Sequence, residues 1–550
     1  MNAMMNVSPA PRRRFRFRGA VAAAAAAMSM AASAGLREVA TIQVASMDVM
    51  KPQLALLAAK AKFPLLPMLV PQVLAQVDMA GRFEPLSPES EFGFKLLADD
   101  SAAPAGGEGK MSFVWAWPLG KGVAGQWRDG NETSLSEAGR PVWKTKMSAP
   151  DPANPQVPKQ ADAYIAFTAD DTWAYVGDTA AAAVAAAKAG APFSKPLKKG
   201  LVAFSIDGEK AMSTVAGFLK GSGDSPVKVA GLTVADAGSD PRQFLPEDID
   251  FGDFDRAVPA LLGELKSFRA VLGVSKTGLD LRLTFEPRPG SALARPGVSM
   301  PRGALEFRGF PPNSMIGVSM VPFEKDGVLG KAWNSFADKS AKKLSAHFAK
   351  LSKDSRYADQ LRAFMGFAAA FVRVAEQLRA SPVKTSALSF SLAEDDKGRK
   401  DVRMTAFSAD PARAYGLAKP KVKGLMPLKM EESGGVLSVS GTEKGFDGGK
   451  QTPPGAAFAA AFPENAQTKE PLFAGFWRFT ISNGKPSASG DDDDGDGDEA
   501  APAGGADMKS FGVWAFGWRA KGASTRMIIR IPADDLETMV SLFVTMQASE

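Results

Sequence analysis

The spacing of apolar and polar positions changes several times along this chain, and each change predicts an element. From Met47 to Ala80 apolar residues recur at helical spacing, interrupted by Pro52, Pro64, Pro67 and Pro71, which predicts short helices that stop before each proline. Glu91 to Leu97 then reads as a strand. It pairs, across a loop of Ala, Pro and Gly, with the aromatic strand Phe113-Val114-Trp115-Ala116-Trp117. The prolines at 150, 152, 155 and 158 predict an irregular loop, followed by a hairpin of 163–167 and 173–177 around Asp170-Asp171 and an alanine helix over 179–189. A strand at 201–206 feeds a helix at 210–219, and a helix at 258–269 precedes strands at 270–275 and 279–285. In the last of these, Leu279, Leu281, Leu283 and Phe285 alternate with polar residues, the pattern of a strand with one buried and one wet face.

The second half carries a strand at 315–321, amphipathic helices at about 328–351 and 357–378, and hairpins of 388–392 with 402–407 and of 476–482 with 511–518. A strand at 527–531 follows, and Pro532 with Asp534 and Asp535 suits the start of a last helix. Two echoes suggest duplication. The hexapeptide Ala-Ala-Pro-Ala-Gly-Gly at 102–107 recurs at 500–505, each copy ahead of an aromatic strand, and a helix-then-hairpin order occurs at 258–285 and before 407. The expected fold is therefore α+β in two related lobes, each an antiparallel sheet with helices packed on one face. A Pro- and Gly-rich linker at 287–303 separates an N-terminal lobe, 35–286, from a C-terminal lobe, 304–550.

Composition changes the picture at the N-terminus. Residues 1–34 carry Arg12, Arg13, Arg14, Arg16 and Arg18 and no acid, then an alanine-rich apolar run ending Ala32-Ser33-Ala34 before Gly35, the grammar of a secretory signal. Arg12-Arg13-Arg14-Phe15 also resembles the twin-arginine export motif. The formal net charge is +6, but without the leader 61 basic residues face 60 acidic ones. The expected location is thus periplasmic or extracellular, and a balanced mature chain argues against nucleic acid as partner. With no cysteine, thiolate metal sites and disulfides are excluded. The most apolar stretch after the leader, 64–77, is broken by proline and too short to span a membrane, so no transmembrane anchor is expected.

Candidate chemistry is sparse. Asp492, Asp494, Asp496 and Asp498 offer alternate carboxylates for calcium, but Ala503 stands where a calcium loop needs its bidentate glutamate, and a disordered acidic loop over 484–508 is the simpler reading. Glu247, Asp248, Asp250, Asp253 and Asp255 are candidates for a carboxylate-based hydrolase, or else acids ahead of the helix at 258–269. The single histidine, His347, has no nucleophile elbow to serve, and phosphate loops and dinucleotide fingerprints are missing. Trp115 and Trp117 share one strand face, as do Trp514 and Trp518; they form a sugar- or lipid-binding patch only if exposed.

Phe310-Pro311-Pro312-Asn313-Ser314 before a strand, with the order of aromatic strand, long loop, hairpin and alanine helix, resembles uncharacterised exported bacterial proteins classed as domains of unknown function. The resemblance implies duplicated α+β lobes and no catalytic residues. The expectation is an exported, non-enzymatic binding or structural protein without cofactor, with an unidentified protein, glycan or lipid partner. A periplasmic carrier of an apolar ligand such as lipid is the alternative, in keeping with 23 methionines.

Overall fold

The computed structural model describes residues 36–64, 89–99, 111–129, 132–150, 158–193, 195–221, 252–294, 299–322, 327–332, 334–335, 385–394, 400–408, 410, 412–413, 429–433, 436–440, 453–463, 470–482, 508–520 and 524–541. In chain order the elements begin β1 (Leu36–Val44), α1 (Met47–Lys60), β2 (Phe92–Asp99), β3 (Met111–Pro118), α2 (Val123–Asp129), β4 (Glu132–Glu137), β5 (Arg140–Pro150), β6 (Pro158–Phe167) and β7 (Trp173–Gly177). They continue with α3 (Ala180–Lys188), β8 (Val202–Asp207), α4 (Glu209–Gly221), α5 (Gly252–Gly263), β9 (Leu265–Ser275), β10 (Gly278–Pro287) and α6 (Arg302–Leu305). The second half supplies β11 (Ser314–Met320), β12 (Thr385–Glu394), β13 (Lys400–Ser408), β14 (Lys429–Ser433), β15 (Val436–Ser440), α7 (Pro454–Ala461), β16 (Pro471–Ser482), β17 (Met508–Arg519) and β18 (Thr525–Pro532).

Among the described residues the 18 strands belong to one sheet, and every pairing is antiparallel. Followed strand by strand, the first half runs β4-β5-β6-β7-β3-β2-β1-β8-β9-β10. The second half continues from β10 through β18-β17-β16-β11-β12-β13-β15-β14. The expectation of a separate sheet in each lobe is corrected by the β10–β18 pairing. Phe285 stands opposite Thr525 at one end and Gly278 opposite Pro532 at the other. Gly278 has φ 148, and a Cβ built there would lie 2.0 Å from the Ile531 carbonyl oxygen, so a side chain would push the two halves apart.

Helices cover both faces, which corrects the one-face expectation. Where a strand is apolar on both faces, as Val114 to Trp117 of β3 is, each face needs its own cover. Val114, Ala116 and Tyr175 pack on α3, and Ala203 and Val271 pack on Met50 and Leu54 of α1. On the opposite face, Trp115, Trp117 and Ile165 pack on Val123 and Trp127 of α2, while Phe204 and Ile206 meet Ala211 and Met212 of α4. In the second half Phe458 of α7 packs with Phe307, Trp514 and Phe516 on the α1 and α3 face.

Other expectations shift by local physics. Pro52 lies inside α1, not at its end: burial of Met50, Leu54 and Ala58 outweighs the one lost backbone hydrogen bond. The prolines at 150 and 158 end strands β5 and β6 and face each other. The helix expected at 258–269 is α5, six residues earlier at its start, and β9 takes over at Leu265. The described parts of the segment 287–303 hydrogen-bond to both halves, Arg288 N–H donating to the Glu264 carbonyl and Met300 N–H to that of Pro471. The aromatic strands also hold different places: β3 lies between β2 and β7, whereas β17 lies between β16 and β18. Most of the helices expected at 328–378 lies outside the described residues, as does His347.

At the junction of the halves Asp280 of β10 stands opposite Arg530 of β18, both 1% exposed. Arg530 Nε donates to Asp280 Oδ1 at 2.6 Å and Nη2 to Oδ2 at 3.0 Å, while Nη1 donates to the Ala461 carbonyl at the end of α7. The guanidinium also lies over the Phe462 ring, 5.0 Å from its centre. The alternation of β10 is as expected, but Asp280 on its polar face is sealed while the leucines beside it are half-buried. Removing one partner of such a pair leaves a buried charge uncompensated, so Asp280→Ala should cost about 3–5 kcal/mol in urea unfolding. The double variant Asp280→Leu with Arg530→Leu should recover most of that loss; a cost below ~1 kcal/mol for Asp280→Ala would contradict the buried pair.

Candidate functional site

Beside this junction the first half forms a cleft. Its volume is about 520 Å³, and it lies between the first turns of α1, the loop ahead of β8 and the strands β9 and β10. Val49, Pro52, Val271 and Val274 give it apolar wall, and Asp48, Gln53, Lys198, Lys199, Ser275 and Arg282 give it polar rim. Gln53 ties the pieces together. Its amide nitrogen donates to the carbonyls of Val49 and Gly200 at 3.0 Å each, and its Oε1 accepts from Val274 N–H at 3.1 Å. Leu201 N–H donates to the Leu272 carbonyl at 2.7 Å, and Ala45 N–H to that of Leu201 at 2.9 Å, so the loop bearing the lysines is anchored at its base.

Arg282 lies two residues from Asp280 on the same strand face, and its Nη2 donates to Asp280 Oδ2 at 2.7 Å. Its side chain is 46% exposed, in contrast to that of Arg530. One carboxylate thus stands between two guanidiniums, one sealed in the core and one at the cleft.

A second polar cluster lies beneath α3. Lys95, 3% exposed, donates to Glu38 Oε2 at 2.7 Å and sits over the Tyr175 ring. The Tyr175 hydroxyl donates to the Gly190 carbonyl, and burial pushes its pKa up. Asp178 follows β7 just before Thr179, whose side chain caps α3 by accepting from Ala182 N–H at 3.2 Å. Burial pushes the Asp178 carboxyl up to about 6, against hydrogen bonds from Ser112 and from the Phe113 and Thr179 backbone. The members of this cluster are accounted for by the packing of α3 on the sheet.

The residues singled out from sequence fall elsewhere. Trp115, Trp117 and Trp514 are buried, and Trp518 is partly buried and stacked on Phe516 with ring centres 5.2 Å apart. The aromatic rows are core, because each lies under a helix or a neighbouring ring. Trp477, on the opposite side of β16 from Phe476, is 46% exposed. Asp492, Asp494, Asp496 and Asp498 lie outside the described residues, as do Glu247, Asp248 and Asp250, while Asp253 and Asp255 fall in the first turn of α5. Phe310 to Ser314 forms a packed corner. The Ser314 hydroxyl donates to the Pro311 carbonyl at 2.7 Å, and Arg478 donates to that of Pro312 at 2.8 Å.

The cleft was missed because its walls come from positions near 50, 200 and 275, and Lys198-Lys199-Gly200 reads as an ordinary basic turn until those segments are brought together. No helix among the described residues is long and apolar enough to cross a membrane. No protein-family model, curated protein or solved structure matches the chain.

The Asp178 carboxyl makes stability depend on pH in a stated direction. Between its ordinary value of 3.8 and about 6 the folded state binds the proton that the unfolded chain releases. Its contribution is therefore full below about pH 4 and is lost as pH rises to about 6, by on the order of 2–3 kcal/mol. Asp178→Asn should abolish that part of the decline when urea unfolding of variant and parent is compared across this window. Parallel curves for the two would contradict it.

Proposed function

We propose that the chain is an exported, non-enzymatic binding protein whose two related halves share one sheet and whose first half holds a ligand beside the strand that joins them. The cleft carries this reading, since about 520 Å³ lies within the usual range of small-molecule sites and its lining combines apolar wall with convergent polar groups. The walls come from three separate segments fixed by Gln53, the preorganisation that binding rewards. A carrier of a wholly apolar ligand finds less support here, because burying a hydrocarbon against Asp48, Lys198, Lys199 and Arg282 would strip water from charge.

The relation between the halves is supported by their pairing orders. β1 lies between β2 and β8, and β8 leads through β9 to β10; β11 lies between β12 and β16, and β16 leads through β17 to β18. In this correspondence β10 and β18 are equivalents that pair with each other antiparallel, the arrangement of a two-fold interface. It matches β3 with β13 and β9 with β17, so the echo between the aromatic strands β3 and β17 joins places that are not equivalent.

Export is supported by the leader pattern of residues 1–34. Expressed in a Gram-negative host, the chain should be recovered outside the cytoplasm with Gly35 as its first residue, by N-terminal sequencing. Replacing Arg12, Arg13, Arg14, Arg16 and Arg18 with Gln should leave it unprocessed in the cytoplasm. Native mass spectrometry of the mature chain should show an added mass that organic extraction removes. Unprocessed parent chain in the cytoplasm would contradict export, and a bare mass would contradict small-molecule binding.

A further inference from the structure

We propose that the cleft takes a compact amphiphilic oxyanion, a carboxylate or phosphate monoester on a short apolar body; this rests on reading the cleft as the binding site. Charge is the first reason. Three cations, Lys198, Lys199 and Arg282, border the cleft against one acid, Asp48. Both lysines are exposed, and neither has an ion-pair partner among the described residues.

The arginine supplies the second reason. Asp280 provides one negative charge, and Arg530 already engages both of its oxygens from the sealed side. Arg282 reaches only Oδ2 from the open side, so the triad keeps an excess positive charge, and that excess sits on the member that borders the cleft. A guanidinium has five N–H donors in a planar fork suited to carboxylate and phosphate, and Asp280 takes one of those of Arg282. An oxyanion at the rim completes the neutralisation without disturbing the buried pair.

The wall supplies the third reason. Val49, Pro52, Val271 and Val274 present apolar surface beside the cations. A bare inorganic ion would leave that surface wet, whereas a short hydrocarbon covers it at about 25 cal/mol per Å². A neutral hydrocarbon would leave the cations unanswered.

The test is equilibrium dialysis of the full mature chain at low ionic strength against octanoate, octyl phosphate, 1-octanol and inorganic phosphate. Octanoate, octyl phosphate or both should bind once per chain, with 1-octanol and inorganic phosphate at least about tenfold weaker, and binding should weaken as salt is raised. Which of the two octyl anions binds more tightly distinguishes carboxylate from phosphate as the headgroup. Lys198→Glu with Lys199→Glu, at exposed positions that the core does not use, should weaken binding at least about tenfold, and Arg282→Met by a similar factor. The proposal is overturned if 1-octanol binds as tightly as octanoate, if inorganic phosphate matches octyl phosphate, if the lysine reversals change nothing, or if none of the four probes binds. Should none bind while native mass spectrometry still shows an extractable adduct, the binding-protein reading stands and the oxyanion reading falls; absence of both removes both.

Discussion

One ion pair sets the terms for the middle of this protein. Asp280 and Arg530 are both excluded from water, and a charge so placed is tolerable only when its partner and hydrogen bonds are in place. They come from β10 and β18, 250 residues apart in sequence. A one-residue slip between these strands would turn each side chain to the other face and leave both charges orphaned. The pair therefore selects register more strongly than it adds net stability, since attraction in the interior is largely offset by desolvation. Its reach extends to α7 through the Ala461 carbonyl and the Phe462 ring, so strand register and helix docking are fixed by the same guanidinium.

The asymmetry of that cluster has a consequence at the surface. With Arg530 satisfied from within, Arg282 remains at the rim as a cation that shares a carboxylate it does not own. Structure and proposed recognition are thus linked by one aspartate. On β10 the charges Asp280 and Arg282 share one face, and the half-buried aliphatic row lies on the other face of the sheet with Ile529 and Met527 of β18.

Much of the strand inventory was legible, because alternation and turn residues are local signals. The hairpins built on Trp173 to Gly177, on Gly278 to Phe285 and on Phe511 to Trp518 all form near their expected bounds. β1 was not legible: Leu36 to Val44 mixes Arg37, Glu38, Thr41 and Gln43 into a strand buried by its neighbours on both sides, and tertiary pairing decides it. β4 and β5 were missed for a similar reason, since Arg140 to Pro150 opens on Arg140 and includes Lys144 and Lys146 among its inner residues. The joining of the halves was invisible because a strand pattern tells which face is apolar and not which strand lies beside it. The aromatic rows drew attention as candidate surfaces, yet large rings at i, i+2 on a paired strand serve first as core, as Trp115 and Trp117 do. The cleft was out of reach altogether, because no local pattern brings Gln53, Lys199 and Arg282 together.

The claim on which the account rests is that the two halves form one cooperative sheet through β10 and β18. Native-state hydrogen exchange read by mass spectrometry tests it directly, on peptides covering 265–287 and 508–532. Amides of the β10–β18 ladder should exchange no faster than those that pair β9 with β10 and β17 with β18, and should be lost with them in one opening event. Faster exchange confined to the β10–β18 ladder, with each half staying protected by itself, would show that the halves part at this seam and would contradict the account.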